Sequence, residues 1–240
     1  MIKYGKHYYS PSARNRDDFD DQIDGASGRD YLYGLGGNDV LYGGYETDFL
    51  YGGTGNDVLG GGTGAFTDFL WGDAGNDVLA GGDGNDQIWG GADNDVLQGG
   101  RGQDLMTGGS GRDFFDYRTD PNSTSYRDSD IIYDFNTFED SITMPWAGTS
   151  FNYREDWVER DGSAANTFGS AATAAYHIIN QTGADYVFIS DRVDGYLFAD
   201  RNNDGGIDMM ITLRGLDELS DFSRTDIVTP YTQLAETGWG

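Results

Sequence analysis

An aspartate returns every nine residues from Asp21 to Asp113, and two places after each stands an apolar residue. The aspartates are Asp21, Asp30, Asp39, Asp48, Asp57, Asp68, Asp77, Asp86, Asp95, Asp104 and Asp113. Their apolar companions are Ile23, Leu32, Leu41, Leu50, Leu59, Leu70, Leu79, Ile88, Leu97, Met106 and Phe115. One interval is eleven, because Ala65-Phe66 is inserted before Asp68. Hairpin turns of an antiparallel protein do not impose such a phase, whereas a stacked solenoid requires it. Six residues of turn and three of strand make half a coil, so eighteen residues bring the chain back one strand spacing away, about 4.8 Å. The period therefore predicts an all-β parallel β-roll of two facing sheets. Ile23, Leu41, Leu59, Leu79, Leu97 and Phe115 line one inner face and Leu32, Leu50, Leu70, Ile88 and Met106 the other, since a short strand has one inward position.

The turns carry the chemistry. The best copies read Gly81-Gly82-Asp83-Gly84-Asn85-Asp86 and Gly52-Gly53-Thr54-Gly55-Asn56-Asp57. Glycine permits left-handed backbone and close stacking of turns, which leaves carbonyl oxygens in the gap between them. The aspartate adds a carboxylate. A site of carbonyls and carboxylates without nitrogen or sulfur suits a hard cation with many oxygen ligands, and so several calcium ions. Candidate ligand positions are Asp30, Asp39, Asp48, Asp57, Asp68, Asp77, Asp86, Asp95, Asp104 and Asp113, with Gly52, Gly55, Gly81, Gly84, Gly99, Gly102, Gly108 and Gly111 of the undisturbed turns. Glu46 and Asp93 stand where a turn glycine is expected, as do Leu35 and Asp73, and a side chain at such a position strains left-handed backbone. With 38 glycines and a net charge of −26, the ion-free chain is expected to be largely unstructured, because stacked carboxylates repel and the core is narrow.

The repeats fill only the first half of 240 residues. We divide the chain into an arm at 1–20, the roll at 21–116, a second β domain at 117–228 and a tail at 229–240. With 41 acidic and 15 basic residues, nucleic acid and anionic membrane are poor partners, since phosphate would be repelled. The absence of cysteine removes disulfides, thiolate metal sites and a thiol nucleophile. The first residues lack the apolar run of a signal peptide, and no stretch is long enough to span a bilayer. Residues 1–16 hold four basic residues, Lys3, Lys6, Arg14 and Arg16, which read either as a loose solvated arm, the reading we prefer, or as a strap on the acidic roll.

Beyond Asp113 come apolar alternations at Asp130-Ile131-Ile132-Tyr133-Asp134-Phe135, Asp140-Ser141-Ile142-Thr143-Met144, Tyr186-Val187-Phe188-Ile189, Asp194 to Asp200, Ile207 to Leu213 and Asp226-Ile227-Val228, all reading as strands. Alanine-rich Ala171 to Asn180 reads as one short helix. With the nonapeptides, Gly111-Arg112-Asp113-Phe114-Phe115, Ser129 to Phe135, Glu139-Asp140-Ser141-Ile142 and Leu213-Arg214-Gly215-Leu216 resemble the C-terminal half of the serralysin-type metalloproteases, RTX (repeats-in-toxin) proteins. The resemblance covers about residues 21–228. It implies a calcium-binding β-roll followed by a β-sandwich-like cap, and type I export from a Gram-negative bacterium through an uncleaved C-terminal signal. Thr229 to Gly240 continue beyond the point at which family members usually end. The protease itself is missing: there is no His-Glu-x-x-His, and His7 and His177 are the only two histidines. His177 reads as a packed or surface helix residue. Asp200, Asn202, Asp204 and Asp208, with Gly205, imitate an EF-hand loop, but Ile211 occupies the place of its last glutamate, and a tight hairpin turn competes with a bound ion.

Residues flanking the inward position face out. On the even repeats these include Tyr31, Tyr33, Phe49, Tyr51, Phe69, Trp71 and Trp89, seven aromatics on four rungs. Either they form a docking stripe for a protein or saccharide partner, or they ladder on the sheet or lie under the chain's second half. Two functions follow. The leading one is a noncatalytic, secreted calcium-binding module that folds on extracellular calcium and docks to a partner or surface. The other is the targeting and folding half of an exported metalloprotease whose catalytic domain lies elsewhere. The starting Met1 and its distinct arm favour a complete small protein.

Overall fold

The computed structural model describes residues 2–4, 19–118, 129–144, 153–157, 164–182, 186–191, 193–200, 206–216 and 227–228. The chain forms two compact units, Met1–Asp116 and Tyr117–Gly240.

The first unit is a succession of short parallel strands in two sheets. Strands β1 (Ile2–Tyr4), β3 (Tyr31–Gly36), β5 (Phe49–Thr54), β7 (Phe69–Ala74), β9 (Gln87–Ala92) and β11 (Leu105–Ser110) follow one another in one sheet. Strands β2 (Gln22–Ser27), β4 (Val40–Tyr45), β6 (Val58–Gly62), β8 (Val78–Asp83), β10 (Val96–Arg101) and β12 (Phe114–Asp116) follow in the other. Register is set by the nonapeptide period: Leu50 pairs with Leu32 and Leu70, and Leu79 with Leu59 and Leu97. All eleven companions of the aspartates are buried, none more than 4% exposed, so the two inner faces are those that the period predicts.

Most of the strands are longer than expected. Six residues rather than three keep the ladder, because the first glycines of each turn continue to pair, as Gly53 does with Asp73. Each such strand then has two inward positions, for example Leu50 and Gly52. The eleven-residue interval is absorbed between β6 and β7 without loss of register, since Phe49↔Phe69 and Leu50↔Leu70 still pair. A second difference lies in the arm. Part of it is not loose: Ile2–Tyr4 add a parallel strand to β3, with Ile2 opposite Tyr31 and Tyr4 opposite Tyr33.

In the second unit a five-stranded mixed sheet has the order β13 (Asp130–Ile132), β18 (Met209–Arg214), β17 (Asp194–Ala199), β16 (Tyr186–Ser190), β15 (Tyr153–Trp157). The β16–β17 and β17–β18 pairs are antiparallel; β13–β18 and β15–β16 are parallel. Separately, β14 (Ser141–Thr143) pairs in parallel with β19 (Ile227–Val228). Helix α1 spans Ala164–Thr182, 19 residues, and so begins seven residues earlier than the alanine-rich stretch suggests. Its Ala171, Ala175 and Ile179, at the four-residue spacing of one helix face, pack on Val187, Ile189, Tyr196, Phe198 and Met210. Every residue of β16 and β17 is buried, the two-sided burial of an inner layer.

Candidate metal centre

Every turn aspartate is buried, and from Asp39 to Asp113 one carboxylate oxygen, Oδ1, has a fixed task. Oδ1 accepts a hydrogen bond from the backbone N–H of the aspartate one coil earlier. On one side Asp21, Asp39, Asp57, Asp77 and Asp95 donate to Asp39, Asp57, Asp77, Asp95 and Asp113, at 2.6–2.9 Å. On the other, Asp30, Asp48, Asp68 and Asp86 donate to Asp48, Asp68, Asp86 and Asp104, at 2.7–2.8 Å. This use of the carboxylate as a coil-to-coil staple is not visible in the repeat pattern. Oδ2 has another fate: in Asp57, Asp77, Asp86 and Asp95 it is buried and has no hydrogen-bond partner.

A buried oxygen anion without a donor is costly, and the titration of these groups reflects it. Burial pushes the Asp86 carboxyl up to about 8, helped by the neighbouring charges of Asp104, Asp68 and Asp83 and opposed by the hydrogen bond to the Asp68 backbone. Burial likewise raises Asp68 and Asp95 to about 7, and Asp57 and Asp77 to about 6. A bound cation would offset that cost.

The glycines show where it would sit. A Cβ at Gly81 would collide with Asp86 Oδ2 and lie 2.6 Å from the carbonyl oxygen of Gly99 on the next coil. The same convergence recurs at Gly52 with Asp57 Oδ2 and the Gly72 carbonyl, at Gly72 with Asp77 and Gly90, and at Gly90 with Asp95 and Gly108. At Gly99 and Gly108 an added Cβ would strike Asp104 Oδ2 and Asp113 Oδ2. The fourth-position glycines face the preceding coil: a Cβ at Gly55, Gly84, Gly102 or Gly111 would strike the carbonyl oxygen of Gly37, Phe66, Gly84 or Asp93 respectively. Between stacked turns, then, one carboxylate oxygen and backbone carbonyls converge in a gap kept open by the absence of side chains. Among the described residues no three His, Cys, Asp or Glu side chains gather into a cage. A donor set of carbonyls with single carboxylates fits a hard, adaptable cation such as calcium and not zinc.

The departures keep the turn geometry. Ala26, Leu35, Glu46, Asp73 and Asp93 all adopt positive φ, between 72° and 79°, in the place of glycine. Each bears a left-handed strain of about 1–2 kcal/mol that glycine would not. A second polar ladder, which the sequence reading missed, runs beside the aspartates. Asn56 donates its backbone N–H to Asn38 Oδ1, Asn76 to Asn56, Asn94 to Asn76 and Arg112 to Asn94, at 2.8–3.1 Å, and Asn38 donates to Asp20. Its signal was the asparagine that so often precedes the motif aspartate.

The other candidate positions fare differently. Asn202 and Asp204 of the EF-hand-like stretch lie outside the described residues; Asp200 is buried and Asp208 donates its N–H to the Ala199 carbonyl at 2.8 Å. His177 is exposed on α1, edge-on to Tyr176. All seven aromatics of the even repeats lie half-buried on the outward side of β3, β5, β7 and β9. They form two stacks: Tyr31, Phe49 and Phe69, and beside it Tyr33, Tyr51, Trp71 and Trp89. Centroids are 4.6–4.8 Å apart and planes within 5° of parallel. The rings therefore cover one another's faces and turn their edges outward.

A solenoid of nine-residue turns with convergent carbonyls and a donorless carboxylate oxygen defines a calcium-binding parallel β-roll. The model of the RTX calcium-binding nonapeptide repeat matches in four copies, at residues 17–44, 33–65, 63–97 and 81–115, so the chain carries RTX calcium-binding repeats throughout this roll. No curated protein matches the chain. Among solved structures it is similar to the AlgE6R3 subunit of the Azotobacter vinelandii mannuronan C5-epimerase, at 22% identity over 79% of this chain and 82% of that one, with a TM-score of 0.36. The AlgE6R2 subunit of the same epimerase is similar at 21% identity over 92% and 98%, with a TM-score of 0.31. At these scores neither likeness bears on activity.

Proposed function

We propose that the protein is a noncatalytic, exported calcium-binding module that folds when extracellular calcium fills the gaps between its turns, and that the folded roll docks to a partner protein. The observation that carries the reading is the row of buried carboxylate oxygens with no donor, at Asp57, Asp77, Asp86 and Asp95, each beside a carbonyl of the next coil. Asp30, Asp39, Asp48, Asp68, Asp104 and Asp113 occupy equivalent turns and would hold further ions. At cytosolic calcium levels the chain would remain unfolded and fit for passage through a type I exporter. No described helix is long and apolar enough to cross a membrane.

The stacked aromatics suit a protein partner better than a sugar. Saccharide docking uses open ring faces, whereas the inner rings Phe49, Tyr51 and Trp71 have both faces covered by neighbours and offer edges to apolar side chains. Limited proteolysis of the whole chain tests the central reading. Millimolar calcium should protect residues 21–116 and chelator should expose them; equal digestion in both conditions contradicts it. Zinc-dependent peptide cleavage by the purified chain would contradict the noncatalytic assignment.

A further inference from the structure

The two sides of the roll do not carry the same charge. Turns ending at Asp57, Asp77 and Asp95 share one side, and there two acids, Asp73 and Asp93, take left-handed positions, φ 74° and 79°, whereas the opposite side has one acid in such a position, Glu46, φ 77°. Asp73 lies in the ladder between Gly53 and Gly91, directly after Gly72, whose carbonyl converges with Asp57 Oδ2. Its charge acts on both Asp57 and Asp77, and that of Asp93 acts on both Asp77 and Asp95. Those three carboxylates are at most 1% exposed, and each has an Oδ2 without a donor. On the opposite side, the Asp83 charge beside Asp86 is accompanied by Arg101, 3.6 Å away. Among the described residues no cation pairs with Asp73 or Asp93.

Asp73 and Asp93 do not join the buried carboxylates in a three-acid cage. Their contribution is a field. Resting on the calcium reading above, we propose that Asp73 and Asp93 divide the roll into two classes of site, making those bordered by Asp57, Asp77 and Asp95 the tighter and the more selective for highly charged hard cations. Affinity in oxygen-ligand sites rises with the count of nearby negative charge, and an attraction of this kind grows in proportion to the charge of the ion. Retaining two aspartates at strained positions is otherwise unfavourable, since glycine would relieve the backbone.

The test is calorimetric titration of the whole chain with calcium and, separately, with terbium, at low ionic strength. Asn tolerates left-handed backbone as Asp does. Asp73→Asn combined with Asp93→Asn should therefore weaken the tight phase for calcium by about three- to ten-fold without loss of β signal at saturation. The loss should be larger for terbium than for calcium. Asp73→Gly with Asp93→Gly should weaken it similarly despite the relief of strain, while Leu35→Gly, which relieves the same strain without a change of charge, should leave it unchanged or tighter. Unaltered calcium affinity in the asparagine variant, equal losses for the two ions, or tighter binding in the double glycine variant overturns the inference and leaves the calcium reading standing. If the unaltered chain takes up no calcium, the calcium reading falls and the inference with it.

Discussion

Replacing Gly81 with alanine separates two reasons for which this roll needs glycine. Gly81 does not have positive φ, so the substitution carries no left-handed cost, and in open space alanine would stabilise the strand by about 0.5–1 kcal/mol. The space is not open. The new methyl would overlap Asp86 Oδ2 and lie 2.6 Å from the Gly99 carbonyl oxygen, against an ordinary contact of 3.4–4 Å. Adjacent coils must part by nearly an ångström, an overpacking cost of about 1–3 kcal/mol, and the methyl fills the place where the two oxygens meet. Gly28 is the opposite case, with φ of 95° and nothing within 4 Å of an added Cβ, so Gly28→Ala should cost only about 1–2 kcal/mol of backbone strain and no ligand geometry. The assay is calcium titration by calorimetry beside a calcium-saturated melting curve. Gly81→Ala should lose one bound ion, or weaken it by roughly ten-fold or more, whereas Gly28→Ala should lower the melting temperature with stoichiometry intact. Unchanged stoichiometry and affinity in Gly81→Ala would refute the placement of the ion between these turns.

Three further outcomes follow from the same geometry. Asp86→Asn retains an acceptor for the Asp68 N–H while removing the charge, and Asp86→Ala removes both; calcium affinity should fall in each, but the alanine variant should be less stable by about 1 kcal/mol more in chemical denaturation. Burial raises the carboxyls of Asp57, Asp68, Asp77, Asp86 and Asp95 from 3.8 to between about 6 and about 8, so these groups of the ion-free roll bind more protons than in the unfolded chain, and the stability they contribute falls as pH rises from about 4 to 8. Calcium displaces those protons, so its affinity should rise over the upper part of that window, and calcium titrations at pH 5.5, 7 and 8.5 check the sign. Trp71→Ser with Trp89→Ser removes the stacks Tyr51–Trp71 and Trp71–Trp89, which should lower the calcium-loaded stability by about 1–3 kcal/mol in thermal unfolding while leaving calcium stoichiometry unchanged.

The roll was legible because one period encodes it twice, in the aspartates that turn the chain and in the apolar residues two places later. Leu32 to Met106 and Ile23 to Phe115 fall on opposite inner faces by phase alone. What phase does not contain is the division of labour within a carboxylate. Nothing in the repeat separates Asp86 Oδ1, held by the previous coil, from Oδ2, left for an ion. The asparagine ladder was equally hidden, since Asn38, Asn56, Asn76 and Asn94 look like ordinary turn formers until stacking aligns them. Strand length was underestimated because Gly52 and Gly53 read as turn, whereas coil-on-coil pairing overrides glycine's weak strand preference. In the second unit the apolar alternations mark strands well, but the parallel partnership of β15 with β16, either side of α1, depends on long-range packing that no local pattern specifies.

The most direct measurement is far-ultraviolet circular dichroism of the whole chain, first in excess chelator and then through a calcium titration into the millimolar range. The account predicts little β signal without calcium and a cooperative gain as the turns load, reversed by chelator and absent at equal concentrations of magnesium, whose rigid octahedral demand the carbonyl gaps do not meet. A spectrum that is the same in chelator and in millimolar calcium would contradict it.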